Sequence, residues 1–341
     1  MIRGVLRRLT ALGLCGLLAA CAVPMTYPAG PPAAEPHFLM DWFVARDGIR
    51  MTVRSWRPKG PARAVVVALH GFNDYSNFFQ APGAWLADRG VASYAYDQRG
   101  FGDGIGIGLW AGTDAYVRDL ADFTALVRRT HPGVPVYVLG DSMGGAVALV
   151  AGAGPAETRP KAEGMILAAP AVWGRAAMTW YERAALWTAA HTIPTFRLTA
   201  QGLNIQPSDN IDMLRALGRD WRVIKRTRVE TIHGLVGLMD RALAAAPRFS
   251  ERALILYGGK DDIIPGRPTL NMVRHLPAAA RDRQTFALYD GGYHMLLRDL
   301  NAAVVWRDIL AWIDNARAPL PSGADGRAAR ALEKGALAGK P

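Results

Sequence analysis

Val136-Tyr137-Val138-Leu139-Gly140-Asp141-Ser142-Met143-Gly144-Gly145, continued by Ala146-Val147-Ala148-Leu149-Val150, changes character half-way along. It opens on β-branched and aromatic residues, the composition of a strand, and closes on a small, apolar run suited to a buried helix. Gly140 and Gly144 flank Ser142 at equal spacing. A turn from strand to helix within these few residues is too sharp for side chains at the flanking positions, so small residues are required on both sides. The turn leaves the Ser142 hydroxyl exposed to a neighbouring base, which a serine needs before it can act as a nucleophile. The helix start adds partial positive charge, and the Met143 N–H points where negative charge would gather on a carbonyl oxygen. Ser142 is thus the candidate nucleophile and Met143 a candidate oxyanion donor.

Outward from this stretch, short continuous apolar runs recur at residues 64–69, 91–96, 134–139, 165–168, 253–257 and 285–289. Such runs are expected of strands covered on both faces. Helical periodicity fills the gaps, as in Val117, Leu120, Phe123, Leu126 and Val127. The alternation predicts an α/β fold, a mostly parallel sheet with helices on both faces, entered by a hairpin over residues 38–56. Residues 171–234 hold no strand run but carry Trp173, Trp180, Trp187, Phe196 and Trp221, and read as an inserted helical cap. Trp180 and Trp187 share a helix face, expected to pack the cap on the core and in part to line an acyl-binding tunnel. The core then comprises residues 38–170 and 235–316. Residues 317–341, rich in Ala, Gly and Arg, read as a flexible tail, although 328–336 can form a short helix.

Partners for Ser142 lie after the later strands. Gly258-Gly259-Lys260-Asp261-Asp262-Ile263-Ile264-Pro265 offers Asp261 and Asp262, and Tyr289-Asp290-Gly291-Gly292-Tyr293-His294 offers Asp290 and His294. His294, in the loop after the last strand, is the natural base. His37, His131, His191, His233 and His275 fall in the tether region, the helix ends or the cap and read as surface or packing residues. After the strand at 64–69 comes His70-Gly71-Phe72-Asn73.

Together with Asp97-Gln98-Arg99-Gly100-Phe101-Gly102, these motifs make the chain resemble the α/β-hydrolases over residues 38–316. Within them it looks like the monoacylglycerol lipase and lysophospholipase branch, often labelled serine aminopeptidase-like. The resemblance selects Asp261 as the acid, and with the chain order Ser, acid, His it implies the set Ser142, Asp261 and His294. It places the second oxyanion donor on Phe72, with Gly71, Gly140 and Gly144 in support, and makes His70 a hydrogen-bonded neighbour. It implies hydrolysis of a carboxylic ester of a single-chain lipid, a monoacylglycerol or lysophospholipid, through an acyl-enzyme, with no metal or organic cofactor. A small-ester esterase or peptidase with the same triad is the alternative, and a catalytically silent envelope binding protein is the alternative of another class. A dehalogenase would carry Asp at position 142.

The N-terminus reads separately. Arg3, Arg7 and Arg8 precede an apolar run over residues 9–20. That run is shorter than the roughly 20 residues a bilayer span needs, and suits a secretory leader. Leu18-Ala19-Ala20-Cys21 resembles the lipobox of bacterial lipoproteins, which implies a signal peptide over 1–20 and a lipid anchor on Cys21. Ala22, where an inner-membrane retention signal would have Asp, points to the periplasmic face of the outer membrane. Cys15 is the one other cysteine, so the mature fold is expected to hold no disulfide. Residues 21–37, with five prolines, read as an extended tether. Losing the three leader arginines takes the formal charge from +11 to about +8, a surplus that reads as a basic, Arg-rich composition and, as the alternative, as an attraction to anionic head groups. No run of Lys and Arg with interleaved aromatics suggests a nucleic-acid partner.

Overall fold

Six parallel strands form the centre of the computed structural model, which describes residues 26–335 and 337; Cys21 and the leader lie outside the described residues. These are β4 (Ala64–Leu69), β5 (Val91–Tyr96), β6 (Val136–Asp141), β7 (Gly164–Ala168), β10 (Ala253–Gly258) and β11 (Gln284–Tyr289). Three antiparallel strands, β1 (His37–Leu39), β2 (Trp42–Val44) and β3 (Arg50–Trp56), extend one edge. The order across the sheet is β1-β2-β3-β5-β4-β6-β7-β10-β11.

Alternation along each strand sorts the core into two layers. Val65, Val67 and Leu69 join Leu120 and Phe123 of α2 (Thr113–Thr130), Val147 of α3 (Met143–Gly152) and Leu238 of α6 (Val229–Ala245). Val66 and Ala68 face the other way, toward Leu86 of α1 (Gln80–Ala87) and Trp312 of α8 (Ala302–Asp314). Successive connections run from β4 toward β5 on one side and from β6 toward β7 on the other. The reversal falls between β4 and β6, and a crevice at such a switch point, outside the C-terminal strand ends, is where sheets of this kind bind ligands. The loops that begin there are His70-Gly71-Phe72 and Asp141-Ser142.

The cap region differs from the sequence expectation in three ways. It contains α4 (Trp180–Thr192) and α5 (Ile211–Arg219), but also an antiparallel ribbon of β8 (Arg197–Leu198) and β9 (Thr227–Arg228) too short to leave a pattern. The expected return to the core at residue 235 falls inside the unbroken helix α6. Trp180 and Trp187 do not pack on the core: they are 74% and 60% exposed, and Ala190 is the one buried residue of α4. A stripe of apolar residues marks one helix face but does not say what covers it. The helix is held instead by its capping box, in which Thr179 and Glu182 bond each other's backbone N–H.

Both ends also depart from expectation. Residues 26–37 are not a free tether: the Ala33 and Ala34 N–H groups donate to the Arg46 carbonyl and the Gly30 N–H donates to Asp47. In place of a flexible tail, α7 (Gly266–Arg274) and β11 are covered by α9 (Ala324–Lys334), with Ala324 and Ala328 buried and Arg327 Nε donating to the Leu288 carbonyl. The contact uses alanines at helical spacing, which close approach requires and which look like low-complexity sequence. Truncation after residue 317 should therefore cost about 2 kcal/mol and lower Tm by several degrees in a thermal melt. A fraying tail would leave Tm unchanged.

Candidate active site

β6 ends at Asp141 and α3 begins at Met143, so Ser142 alone makes the turn, at φ +50° and ψ −109°. A β-carbon substituent is unfavourable in that region, and the surroundings must enforce it. They do so through the backbone: the Ser142 N–H donates to the Ala168 carbonyl and its carbonyl accepts from the Ala171 N–H. The flanking glycines permit the close approach. A Cβ at Gly140 would collide with the Gly144 carbonyl, and one at Gly144 would lie 2.5 Å from the Leu69 carbonyl oxygen.

The structure brings Ser142, His294 and Asp261 together from three loops. His294 Nε2 lies 2.9 Å from Ser142 Oγ, and His294 Nδ1 lies 2.8 Å from Asp261 Oδ2. Asp261 Oδ1 accepts from the Ile263 and Ile264 N–H groups at 2.8 and 2.9 Å, which orients the carboxylate. With Nδ1–H held by Asp261, Nε2 is the nitrogen free to accept the serine proton. Burial opposes a charge on His294, but Asp261 outweighs it and raises the imidazole pKa above its ordinary value. Asp290 stands apart, beside Arg327.

Phe72 and Met143 lie where the oxyanion donors are expected. Met143 is the first residue of α3, so its N–H has no intrahelical partner, and no protein acceptor is found for the Phe72 N–H among the described residues. Gly71 sits against Ser142: a Cβ there would lie 3.3 Å from the Ser142 Cβ. His70 is buried and points elsewhere. Its Nε2 accepts from the Gln98 N–H at 2.9 Å, so Nδ1 carries the proton and donates to the Gly71 carbonyl at 2.7 Å. Burial also lowers its pKa, keeping it neutral. The segment Asp97-Gln98-Arg99 is thereby a brace. Asp97 accepts from Ser76 and Asp103, Gln98 holds His70, and Arg99 pairs with Asp47 and Asp119 at 2.6 Å each.

A second layer of polar groups escaped the sequence reading. Arg298 Nη2 donates to Asp74 Oδ2 at 2.6 Å, joining the loop after His294 to the loop that holds Phe72. Asp141, next to Ser142, is buried with Oδ1 unpartnered, and burial pushes its carboxyl up to about 6 against the pull of Arg298 and His294. The cap holds both loops. Asn210 Nδ2 donates to the Arg298 carbonyl, Ser208 Oγ to Asp299 and the Met295 N–H to the Pro207 carbonyl. On the other loop, Asn73 Nδ2 donates to Thr227 Oγ1 and Tyr75 Oη to Asp220. These partners lie far apart in sequence, and no local spacing signals them.

Residues 60–301 match the model of a hydrolase family described as serine aminopeptidase, S33. The chain belongs to this family. It is 24% identical to the monoglyceride lipase of Homo sapiens, over 84% of this chain and 94% of that protein. It is 26% identical to the monoacylglycerol lipase of Mycolicibacterium smegmatis, over 80% and 95% of the two chains. Its fold is that of the α/β-hydrolases. A soluble variant of monoglyceride lipase from Saccharomyces cerevisiae, solved with a substrate analogue, superposes with a TM-score of 0.65 at 20% identity, covering 86% of this chain and 98% of that one.

Two outcomes test the geometry. Asp261→Asn should lower kcat about 10⁴-fold, because the histidine loses the partner that sets its tautomer, whereas Asp262→Asn should leave kcat nearly unchanged. In the wild type, ester hydrolysis should fall with decreasing pH through a pKa above the ordinary histidine value of about 6.5, since the base must be neutral and Asp261 favours its charged form. Separately, Arg298→Met should cost about 3–5 kcal/mol in denaturant unfolding, because it leaves Asp74 buried without its cation. Adding Asp74→Asn should recover part of that loss.

Proposed function

We propose that this S33 hydrolase cleaves carboxylic esters of single-chain lipids, a monoacylglycerol or lysophospholipid, with Ser142 as nucleophile, His294 as base and Asp261 as its orienting acid. The observation that carries the reading is the unbroken relay from Ser142 Oγ through His294 to Asp261 at 2.9 and 2.8 Å. His294 Nε2 takes the hydroxyl proton as Oγ attacks the ester carbon. The N–H groups of Phe72 and Met143 stabilise the oxyanion. His294 then gives its proton to the departing alcohol, leaving an acyl-serine, and a water activated by the same histidine releases the fatty acid. The monoglyceride lipases among the relatives support the lipid substrate.

The exposed apolar residues of the cap, Trp180, Trp187, Phe196 and Trp221 among them, suit a lipid surface better than bulk water. With the lipobox-like Leu18-Ala19-Ala20-Cys21, they support a protein anchored through Cys21 in a bacterial envelope membrane, on the periplasmic face of the outer membrane. Among the described residues no helix is long and apolar enough to cross a membrane.

A fluorophosphonate probe should label the purified protein, and Ser142→Ala should abolish labelling together with hydrolysis. In a substrate panel, long-chain monoacylglycerol or lysophospholipid should be turned over faster than short p-nitrophenyl esters and aminoacyl-anilides. A preference for the anilides would instead establish a peptidase, and intact labelling of Ser142→Ala would remove Ser142 from the mechanism.

A further inference from the structure

The first described residues do not leave the domain at an arbitrary place. Thr26 forms a bridge with Trp110, and the Tyr27 N–H donates to the Trp110 carbonyl at 2.9 Å. The Tyr27 ring lies over Gly106, where a Cβ would come within 3.2 Å of it. Its platform is the glycine-rich loop from Gly100 to Gly112, in which Gly100, Gly102, Gly106, Gly108 and Gly112 all adopt positive φ. Backbone bonds from Gly108 to Gly100 and from Leu109 to Gly106 close the loop on itself. Two of its side chains, Ile105 and Ile107, are 57% and 47% exposed.

The same loop is fastened to the cap. The Gly108 carbonyl accepts from Thr231 Oγ1, and Trp110 packs against Gly234 of α6. Asp103 pairs with Arg222, whose guanidinium lies over the exposed Trp221 ring. Exposed Arg197, Lys225 and Arg226 stand on the neighbouring cap segments. The Asn73 carbonyl, in the loop that carries Phe72, accepts from the Ile224 N–H. A chain of contacts therefore runs from Thr26 through the loop that carries Ile105 and Ile107 to the cap and the loop of Phe72.

We propose that the segment beginning at Thr26 is a docking strap that turns the face carrying Ile105, Ile107 and Trp221 onto a lipid bilayer. The inference rests on the anchor at Cys21 proposed above. Cys21 precedes Thr26 by five residues. Five residues reach at most about 17 Å even when extended. Acyl chains on Cys21 hold the membrane surface within about 17 Å of Thr26, which the bridge to Trp110 sets at the end of the loop that carries the exposed isoleucines. Isoleucine and tryptophan side chains enter the boundary between head groups and acyl chains, and arginine and lysine meet anionic head groups. The anchor supplies affinity and the strap supplies orientation, which sets the substrate-bearing surface beside the cap.

The test uses the full mature chain, purified with its acyl groups and reconstituted in vesicles of phosphatidylcholine and phosphatidylglycerol. Ile107→Cys and Arg129→Cys are each labelled with bimane, and quenching by doxyl-labelled lipid is measured. Arg129 lies near the far end of α2, an 18-residue helix, and so about 24 Å from its start. Quenching several-fold stronger at position 107 than at 129 is expected. Equal quenching, or none, in a protein that mass spectrometry shows to be acylated overturns the strap and leaves the anchor standing. A mature chain without acyl groups overturns both. As a functional readout, Ile105→Ser with Ile107→Ser should lower hydrolysis of vesicle-borne monoacylglycerol several-fold while sparing a soluble short-chain p-nitrophenyl ester. Equal loss on both substrates would also overturn the strap.

Discussion

The backbone at Ser142 is held in a conformation that an isolated serine avoids, and the surrounding structure is arranged to keep it there. The first turn of α3 lies so close to β4 and β6 that Gly144 touches the Leu69 carbonyl and Gly140 touches Gly144. The strain at φ +50° is local, but its support is distributed: bonds to Ala168 and Ala171 on the neighbouring segment, and a buried helix behind it. In return the hydroxyl stands at the switch point of the sheet, where loops from β4, β10 and β11 can all reach it. Strain of this kind persists only where packing over-determines it.

The loops that reach it are rigid because they are bound to one another. Arg298 bridges to Asp74, the Asp97-Gln98-Arg99 brace holds His70, and cap residues bond the loop of Phe72 on one side and the loop of His294 on the other. The cap is therefore part of the site's scaffold as well as its outer surface. Its outer helix, α4, is attached lightly, with one buried residue, and so presents its aromatic side chains outward. A lipid surface is the counterpart we propose for such a helix, since it rewards the exposure that water penalises.

Motifs with a local mechanism were legible without coordinates. The glycines around Ser142 follow from what the turn demands of its own residues, His294 stood as the natural base in the loop after the last strand, and the resemblance to the α/β-hydrolases selected Asp261. The six parallel strands were legible too, because burial on both faces leaves continuous apolar runs. The Trp180 and Trp187 stripe, the alanine face of α9 and the docking of residues 26–37 were not. In each case the sequence indicated a face or a composition; for α9 and residues 26–37 the partner lay elsewhere in the chain, and the tryptophan face stands exposed.

By itself, then, the sequence determined the fold class, the chain order of the three site residues and the strained turn that exposes the first of them, since these depend on residues a few positions apart. Tertiary structure alone decided that Arg298 ties the two site loops together and that the cap aromatics face outward. Such outcomes depend on segments remote in the chain, as Arg298 and Asp74 are, which only packing of the whole chain can bring together.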